Sequence, residues 1–558
     1  MNKQSNCVEL RYNSFATAIA DINSGTIENA VSDNEAASVK VCTDSIGQKI
    51  VILLSDNSVE TQINILRDIH LVLNGKTLAL NTPDACLYFG IETVCSIDGN
   101  VAGSSITKNC DGTSATMVIC CGKKLSVHGG TLGMTGNFSE YGLVFKVDAG
   151  TLDLYECVAT SENTNNVNGA ARVIYSQEST EVNVYASILT TVSEKRGYTM
   201  YVQGNLSVNR SNVVTRLLTN EVTNMSSCGI MVGDTSSVEI TKSNITSHSS
   251  NAWINGINNR GSINLCKTTV AVESVDGYAR CIVNSGAMNI EDTTTTAFSQ
   301  NAYASGIENT NSITANRIAV NSNSAGTETA SDGIRNTGTL FIANSKVLAD
   351  APGDNAYEEN ATGIFNGGTA VIIHTDVTGT LSGVQNNGKV YAEGGIFTGF
   401  SHGGFYFCQG ADGIAYVNDA VLRCGHYEGV HTEIFSGNTV EPYGSFYVGG
   451  GQGVENVEAY LDGCTIEGPS YYAFIIRSTD GEKNNTVNMS NCEVLGNRVA
   501  RIDTVATDEN GESYATNNWL NIGIQTNLTA EKINNPDNAT FTGEQYRKSR
   551  AYFMTQVS

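Results

Sequence analysis

The chain has 558 residues, of which 56 are glycine and only 5 are proline, and its formal net charge is −24 at pH 7. That negative charge disfavours nucleic acid, whose phosphates require Lys and Arg, and it disfavours an anionic membrane surface. No apolar run is long enough to span a bilayer, so we expect neither nucleic-acid binding nor membrane insertion.

Residues 1–50 precede the repeats of this chain and are predicted to cap them. Ser14 is a suitable N-cap for a short helix in which Phe15, Ile19 and Ile22 share one apolar face. An amphipathic helix of this kind covers the open end of a stack of strands. The first residues lack the apolar core of a secretory signal, so synthesis in the cytoplasm is expected.

The 15 cysteines are scattered from Cys7 to Cys492 and form no CxxC pair. Their odd number and their scatter favour reduced thiols, many of them serving as small apolar side chains, over a disulfide framework or a zinc site. We therefore predict no metal and no cofactor.

A short phrase of glycine, an aliphatic residue and asparagine recurs through the middle of the chain, as in Gly306-Ile307-Glu308-Asn309. The asparagines of the series are Asn259, Asn284, Asn309, Asn336, Asn366 and Asn386. Self-similarity at this spacing predicts stacked repeats. Stacked Asn amides bond one another, and Asn tolerates the left-handed backbone of a sharp bend, so we assign these residues a structural role.

Apolar side chains fall at positions −2, +4, +6 and +11 from the asparagines, for example Ile334, Leu340, Ile342 and Val347 around Asn336, with Thr295 at +11 from Asn284 as the exception. The alternation at +4 and +6 is typical of a strand and not of a helix. Each repeat therefore supplies about three short strands, and roughly sixteen such rungs stack along the chain.

These patterns predict an all-β fold, a single right-handed parallel β-helix over residues 51–495. Residues 1–50 form its N-terminal cap, with the short helix. Residues 496–558 form a C-terminal cap or tail that is a candidate docking or oligomerisation segment. The basic stretch 546–550 within it is interpreted either as a contact to a partner or as a frayed end.

The rung pattern and the asparagine ladder resemble the right-handed parallel β-helix superfamily of pectate lyases, rhamnogalacturonases and phage tailspikes. This resemblance covers about residues 50–495 and implies the fold rather than an activity. The calcium-binding Asp cluster of the lyases and the paired Asp residues of polygalacturonases are missing here. Glycine- and aromatic-rich rungs around Phe405, Tyr447 and Tyr472 resemble β-helical proteins of gut-bacterial prophages and surface adhesins, which implies a virion appendage or adhesin, and a homotrimer as in tailspikes.

The long variable stretch after Leu422, with the rungs on either side of it, concentrates aromatic and proton-transferring side chains. The candidate ligand-binding residues are Tyr406, Tyr427, His431, Tyr443, Tyr447 and Tyr472. Glycoside hydrolysis would need two carboxyl groups roughly 5 to 9.5 Å apart. The candidates for that chemistry are Glu428, Glu433, Asp462 and Glu467, with His426 as a further proton-transferring group. The spacing of His426, His431 and Glu433 matches no metal-ligand motif.

A second variable segment follows position +11 of each repeat and is acidic with spaced tyrosines. It contains Glu273, Asp276, Tyr278, Tyr303, Glu328, Asp332, Asp350, Asp354, Tyr357, Glu358 and Glu359. An acidic edge with tyrosines is consistent with sugar binding, and it is equally consistent with a solvated turn face.

We predict a binding or display protein without an assigned catalytic residue. Its expected partners are a cell-surface glycan and other virion or surface-assembly proteins, and its expected location is a virion or an extracellular surface. The first alternative is a polysaccharide-degrading hydrolase or lyase of the same fold, with its site beside residues 402–467. The second alternative is a purely structural spacer.

Overall fold

A computed structural model describes the protein over residues 9–31, 37–45, 47–165, 169–219, 223–326, 329–351, 360–400, 402–407, 413–425, 433–435, 439–441, 444–449, 456–477, 484–503, 505–507, 513–529 and 532–557. The chain divides into two compact units, Met1–Gly277 and Tyr278–Ser558, and each is described by itself.

Within each unit, most turns of the chain contribute three short strands that pair in parallel with the strands of the next turn. At the N-terminal end, Leu10–Tyr12, Val39–Thr43 and Lys49–Leu53 pair antiparallel instead. We call the resulting stacks the first, second and third sheets, in the order in which a turn passes through them. The prediction of a right-handed parallel β-helix is confirmed, and the number of turns is close to the roughly sixteen predicted from the repeat.

The strands of the first unit are as follows. The first sheet contains Leu10–Tyr12, Val39–Thr43, Lys49–Leu53, Ile69–Val72, Val94–Gly99, Lys124–Gly129, Thr151–Tyr155, Glu181–Tyr185, Asn205–Asn209, Ser237–Thr241 and Ser262–Cys266. The second sheet contains Asn57–Val59, Thr77–Leu80, Ser105–Asn109, Thr131–Gly136, Val158–Asn163, Ile188–Ser193, Asn212–Leu217, Asn244–Ser249 and Thr269–Ser274. The third sheet contains Ile63–Ile65, Leu87–Phe89, Gly112–Cys120, Phe138–Val147, Ala170–Ser176, Arg196–Val202, Thr223–Val232 and Ala252–Asn259.

The strands of the second unit follow the same order. The first sheet contains Ala287–Glu291, Ser312–Asn316, Thr339–Ala343, Thr369–Ile373, Lys389–Glu393, Gly413–Asn418, Val457–Asp462, Asn484–Ser490, Asn517–Ile522 and Ala539–Phe541. The second sheet contains Thr294–Ser299, Ala319–Ser324, Lys346–Asp350, Asp376–Gly379, Ile396–Gly399, Val421–Cys424 and Asn527–Leu528. The third sheet contains Ala279–Asn284, Ala304–Asn309, Ala330–Asn336, Asn360–Asn366, Ser382–Asn386, Phe405–Phe407, Gly444–Val448 and Ile533–Asn534. The strands that run through both the second and the third sheet are Thr465–Ile476 and Glu493–Ile502.

A few elements lie outside these stacks. They are the antiparallel pairs Glu433–Phe435 with Thr439–Glu441 and Val505–Thr507 with Ser513–Ala515, the 3-10 helix Pro536–Asn538, and the α-helices Phe15–Ser24 and Arg550–Val557.

The inward positions predicted from the asparagine spacing form the core of each turn. Around Asn336, the side chains of Ile334, Leu340, Ile342 and Val347 are completely buried. Complete burial of an aliphatic side chain contributes about 1.5–3 kcal/mol relative to leaving it exposed. The repeated pattern therefore supplies most of the driving force for stacking.

The asparagine ladder is present in the second unit as continuous amide-to-amide hydrogen bonding. Nδ2 of Asn309 donates to Oδ1 of Asn336 at 2.8 Å, and Nδ2 of Asn336 donates to Oδ1 of Asn366 at 2.8 Å. The amide of Asn336 also donates to the carbonyl of Gly338 at 3.1 Å. The buried ladder thus satisfies the hydrogen-bonding groups of its own side-chain amides and a backbone carbonyl of the following bend. In the first unit, buried Asn259 makes the same contact to the carbonyl of Gly261 at 3.3 Å.

The expectation that the ladder asparagines adopt a left-handed backbone is wrong. The left-handed residues lie eight positions later, between the first and second sheets, as at Lys267 (φ 52°), Arg317 (φ 52°) and His374 (φ 45°). The ladder residues end extended third-sheet strands, where their amides can reach the neighbouring turn. Their selection therefore rests on side-chain hydrogen bonding and not on backbone conformation.

The N-terminal helix, Phe15–Ser24, forms where the sequence predicts it. Oγ of Ser14 accepts the N–H of Thr17 at 3.2 Å, and Gly25 ends the helix in a left-handed conformation. Phe15 and Ile19 are buried. The backbone N–H of Phe15 donates to Oδ1 of Asn57 at 2.9 Å, which fastens the helix to the first turns.

The C-terminal segment of the second unit folds back onto its first sheet. Phe553 is completely buried against Tyr391 and Tyr416, with ring centroids 5.8 and 5.9 Å apart. Nη2 of Arg547 pairs with Oδ2 of Asp419 at 2.6 Å. The interpretation of this basic stretch as a frayed end is therefore wrong, because it is fixed to its own chain.

The cysteines and the helices of the described ranges have two further properties. None of the 13 cysteines that lie within them forms a disulfide bond. No helix within them is long and apolar enough to cross a membrane.

Candidate functional site

The outer surface of the third sheet in the second unit carries one side chain per turn, at the position just before each ladder asparagine and, beyond the ladder, at the positions in register with it. Because the aliphatic residue two positions before the asparagine points into the core, alternation turns this residue outward. The pairing register aligns these residues across turns, about 4.8 Å apart. We call them the outer row: Val283, Glu308, Arg335, Phe365, Gln385, Tyr406, Tyr447, Ile475 and Arg501.

An aspartate held by a tyrosine and an arginine lies beside this row. The hydroxyl of Tyr303 donates to Oδ2 of Asp332 at 2.8 Å, and Nε of Arg335 donates to the same oxygen at 2.8 Å. Asp332 is only 4% exposed, and its burial raises the pKa of its carboxyl against the opposing effect of Arg335. Burial and the neighbouring Asp332 also raise the pKa of the Tyr303 hydroxyl.

A second carboxylate, Glu308, lies in the turn before Asp332. Its Oε2 accepts a hydrogen bond from Nη1 of Arg280 at 3.2 Å, and both side chains are largely covered. Burial raises the pKa of Glu308, and Arg280 only partly offsets that effect. A carboxyl group with a raised pKa can donate as well as accept protons nearer to neutral pH.

Aromatic rings frame these charged groups. The guanidinium of Arg335 lies over the ring of Phe365 at 4.5 Å, and the rings of Tyr278 and Tyr303 meet edge-on at 5.6 Å. Each of these side chains keeps part of its surface accessible. We call this group the row site: Tyr278, Arg280, Tyr303, Glu308, Asp332, Arg335 and Phe365. It combines partly exposed aromatic side chains with fixed donors and acceptors.

Three of the predicted ligand-binding tyrosines lie further along the same sheet but are buried. Tyr406, Tyr447 and Tyr472 are 5%, 2% and 7% exposed, and they pack together with Ile475. The His402 ring lies against Tyr406 and Tyr447, with centroid distances of 4.4 and 5.1 Å. Ligand binding by these tyrosines stays a prediction that requires their ring faces to become accessible.

Charged residues hold this aromatic group in place. Nη1 of Arg477 donates to the hydroxyl of Tyr447 at 3.2 Å, and its Nε pairs with Asp503 at 3.0 Å. Burial lowers the pKa of His402 to about 4. The imidazole is therefore neutral near pH 7 and acts as a packed ring rather than as a cation.

Two of the candidate catalytic carboxylates have structural partners. Asp462 is buried, and its Oδ1 accepts hydrogen bonds from Ser490 at 2.5 Å and Asn491 at 2.6 Å. Glu467 pairs with Nε of Arg423 at 2.5 Å. Both carboxylates therefore link adjacent turns, and their catalytic role stays a prediction.

The other predicted residues fall on the variable stretch between the described strands. His426, Tyr427, Glu428, His431 and Tyr443 lie outside the described residues. For Glu433 only the backbone is described, in the strand Glu433–Phe435. In the part of the chain that the structure describes, no group of three or more His, Cys, Asp or Glu side chains is arranged to hold a metal.

The row site was only partly visible in the sequence. Tyr303 and Asp332 belong to the acidic segment interpreted as either a sugar-binding edge or a solvated face, and Asp332 is in fact buried. Glu308, Arg335 and Phe365 were not singled out, although each directly precedes a ladder asparagine. Alternation beside a known inward position was the signal that could have found them.

Comparisons with known proteins assign no function to this chain. No protein-family model matches the sequence, and no curated protein matches it. Among solved structures, a chain of the cryo-EM structure of the Vag8–C1 inhibitor complex matches with a TM-score of 0.35 and 11% sequence identity, over 88% of this chain and 99% of that chain. At those values no function is transferred, and function has to be argued from the site.

Proposed function

We propose that this protein is a carbohydrate-recognition β-helix and that the row site is where the glycan binds. The observation that carries the proposal is the position of Arg335. Its guanidinium lies over Phe365 at 4.5 Å while its Nε is fixed by Asp332 at 2.8 Å. A planar apolar surface is thus held next to an oriented, charged hydrogen-bonding group.

Sugar recognition needs this combination of groups. The C–H face of a pyranose packs on aromatic rings, and its hydroxyls need donors and acceptors in fixed positions. Arg280 and Glu308 supply one such pair, and the outer row places the amide of Gln385 one turn beyond Phe365. Side chains that follow the sheet at about 4.8 Å per turn suit an extended chain of sugars better than a compact ligand.

The test is a glycan array on the full-length protein, followed by calorimetry on the glycans that bind. Phe365→Ala and Arg335→Gln are expected to weaken binding at least tenfold, since both remove a contacting surface. Phe341→Ala is the matched control, because Phe341 lies on the first sheet in the second unit. Loss of binding in the control and not in the row variants would contradict the proposal.

A hydrolase of the same fold is the second candidate, favoured by the raised pKa of both Glu308 and Asp332. One protonated and one ionised carboxyl group across a glycosidic bond is the requirement for glycoside hydrolysis. Release of new reducing ends from a bound polysaccharide would indicate that the protein is a hydrolase. That release should be lost in Glu308→Gln and in Asp332→Asn. Binding without release supports recognition alone.

The setting proposed for this activity is a virion or bacterial surface, where the protein would assemble with other surface proteins, as a homotrimer in the tailspike-like case. The β-helix fold is compatible with a surface recognition role and equally with a spacer. Sedimentation velocity tests the trimer, and immunogold labelling of the producing cells and their particles tests the location. If the protein is monomeric and confined to the cell interior, the proposed surface assembly is wrong. The proposal of glycan binding would not be affected.

A further inference from the structure

An arginine surrounded by tyrosines lies on the third sheet of the first unit. The guanidinium carbon of Arg172 is 5.6 to 5.8 Å from the ring centroids of Tyr141, Tyr175, Tyr198 and Tyr201. The residues come from three adjacent strands, Phe138–Val147, Ala170–Ser176 and Arg196–Val202. We call these five residues, together with Arg196, the Arg172 cluster.

The charge of Arg172 has no counter-ion among the described residues. Its Nε is buried and donates no hydrogen bond to the described residues, and none of their carboxylates pairs with the guanidinium. By contrast, Lys146 on the neighbouring strand is paired with Asp148 at 2.8 Å. In a chain with a net charge of −24, an unpaired and partly buried arginine is an exception that needs a ligand or another explanation.

A second arginine adds to the unpaired positive charge. Arg196, in the next turn, donates from Nε to the hydroxyl of Tyr198 at 2.8 Å and lies over the same ring at 5.2 Å. Burial lowers the pKa of Arg172, and the proximity of Arg196 adds to that lowering. Two like charges on adjacent turns repel each other unless an anion lies between or above them.

From this geometry we propose that the Arg172 cluster binds the carboxylate of an acidic sugar, such as a sialic or uronic acid residue. The guanidinium of Arg172 offers a bidentate fork for the carboxylate, and the surrounding tyrosines offer ring faces for the pyranose. The inference rests on the proposed carbohydrate-binding function. It adds a preference for acidic sugars, at a position separate from the row site.

A peptide carboxylate is the less suitable occupant of the cluster. Extended peptides gain affinity by adding a strand to an open sheet edge. The strand Ala170–Ser176 is paired on both sides, with Phe138–Val147 and with Arg196–Val202, so it offers no such edge. The available contacts are side chains on a sheet face, which suit a ring that carries one carboxylate.

The experiment compares one charged and one neutral probe, 3′-sialyllactose and lactose, by saturation-transfer NMR and calorimetry on the full-length protein. We expect sialyllactose to bind at least tenfold more tightly, and Arg172→Gln to remove that preference. Arg196→Gln is expected to reduce the preference in part, and it serves as the test if Arg172→Gln does not fold. Arg210→Gln is the matched control, because Arg210 also contacts a tyrosine, Tyr185, but lies after the first-sheet strand Asn205–Asn209.

The outcomes separate this inference from the proposed function. Retention of the preference for sialyllactose in Arg172→Gln, or equal affinity of the two probes for the unmodified protein, overturns the acidic-sugar site. Equal competition by a glutamate-rich hexapeptide overturns it in favour of a peptide. Binding of neutral glycans that depends on Phe365, without any acidic preference, leaves the row site standing and rejects only the Arg172 cluster.

Discussion

Tyr303 donates its hydroxyl hydrogen to Oδ2 of Asp332 in the following turn, at 2.8 Å. This bond ties the variable segment before one third-sheet strand to the strand of the next turn, and Arg335 completes it from the same side. Asp332, which the sequence alone would place on a solvated bend, therefore belongs to a fixed and mostly buried polar group. The row site depends on it.

Replacement of Tyr303 by Phe tests this bond. We expect the second unit to lose about 1.5–3 kcal/mol in free energy of unfolding, because the buried carboxylate of Asp332 loses a hydrogen-bond donor. Urea denaturation followed by circular dichroism provides the measurement. Tyr175→Phe in the first unit should change stability by less than about 0.5 kcal/mol, since no hydrogen bond to the Tyr175 hydroxyl is seen in the described structure. Equal losses of unfolding free energy in Tyr303→Phe and Tyr175→Phe would show that the Tyr303 hydroxyl has no special structural role.

Replacement of Asn336 by Ala tests the ladder at a central position. Asn336 accepts from Asn309 and donates to Asn366, so the substitution leaves buried partners unsatisfied on both sides. We expect a loss of roughly 3 kcal/mol or more in free energy of unfolding. Asn386→Ala, which removes a single amide partner of the ladder, Asn366, should cost less in the same denaturation experiment. A larger loss at position 386 would contradict the ladder as the source of the effect.

His402 predicts a dependence of stability on pH. Its pKa falls from 6.5 to about 4 on folding because the ring is buried, so below pH 6.5 the unfolded chain binds a proton that the folded chain does not. Stability should therefore decrease as pH falls from about 6.5 to about 4, by an amount on the order of 3 kcal/mol. The His402→Phe variant should lack this part of the decrease. Denaturation midpoints at pH 7 and 4.5 for both proteins give the comparison, and parallel pH profiles would show that His402 titrates normally.

Replacement of Phe553 by Ala tests the docking of the C-terminal segment. Truncation of a completely buried aromatic ring costs about 3–5 kcal/mol locally, and we expect the segment to detach from the first sheet. Limited proteolysis should then cleave within residues 543–552 much faster than in the unmodified protein. Met554→Ala is the control, since Met554 is 41% exposed and its loss should have little effect. Unchanged proteolysis in Phe553→Ala would show that the ring is not what holds the segment.

The core of this fold could be derived from the sequence because each turn repeats one local rule. Ile334 and Leu340 point inward because of their fixed spacing from the ladder asparagine, as do their counterparts in the other repeats of the ladder. Aligning one asparagine with the next therefore sets the register between the two turns. The left-handed bend was misplaced because asparagine is suited both to bends and to amide ladders. In the structure Lys267 and Arg317 occupy the left-handed bend, where Gly or Asn would be expected from sequence.

The functional surface was harder to derive because its contacts join segments that the repeat does not relate. Arg547 reaches Asp419 across 128 positions of the chain, and no local pattern predicts that pairing. The burial of Tyr406 and Tyr447 likewise depends on what packs over the sheet. The outer row could have been predicted from the sequence, since Phe365 lies between the inward Ile364 and the ladder residue Asn366.

The most direct test of the central claim is a crystal structure of the full chain bound to the glycan that gives the strongest array signal. We expect density for a sugar ring over Phe365, with hydroxyls in hydrogen-bond contact with Arg335 or Glu308. Density for the glycan elsewhere, with the ring of Phe365 uncovered, would contradict the assignment of the row site.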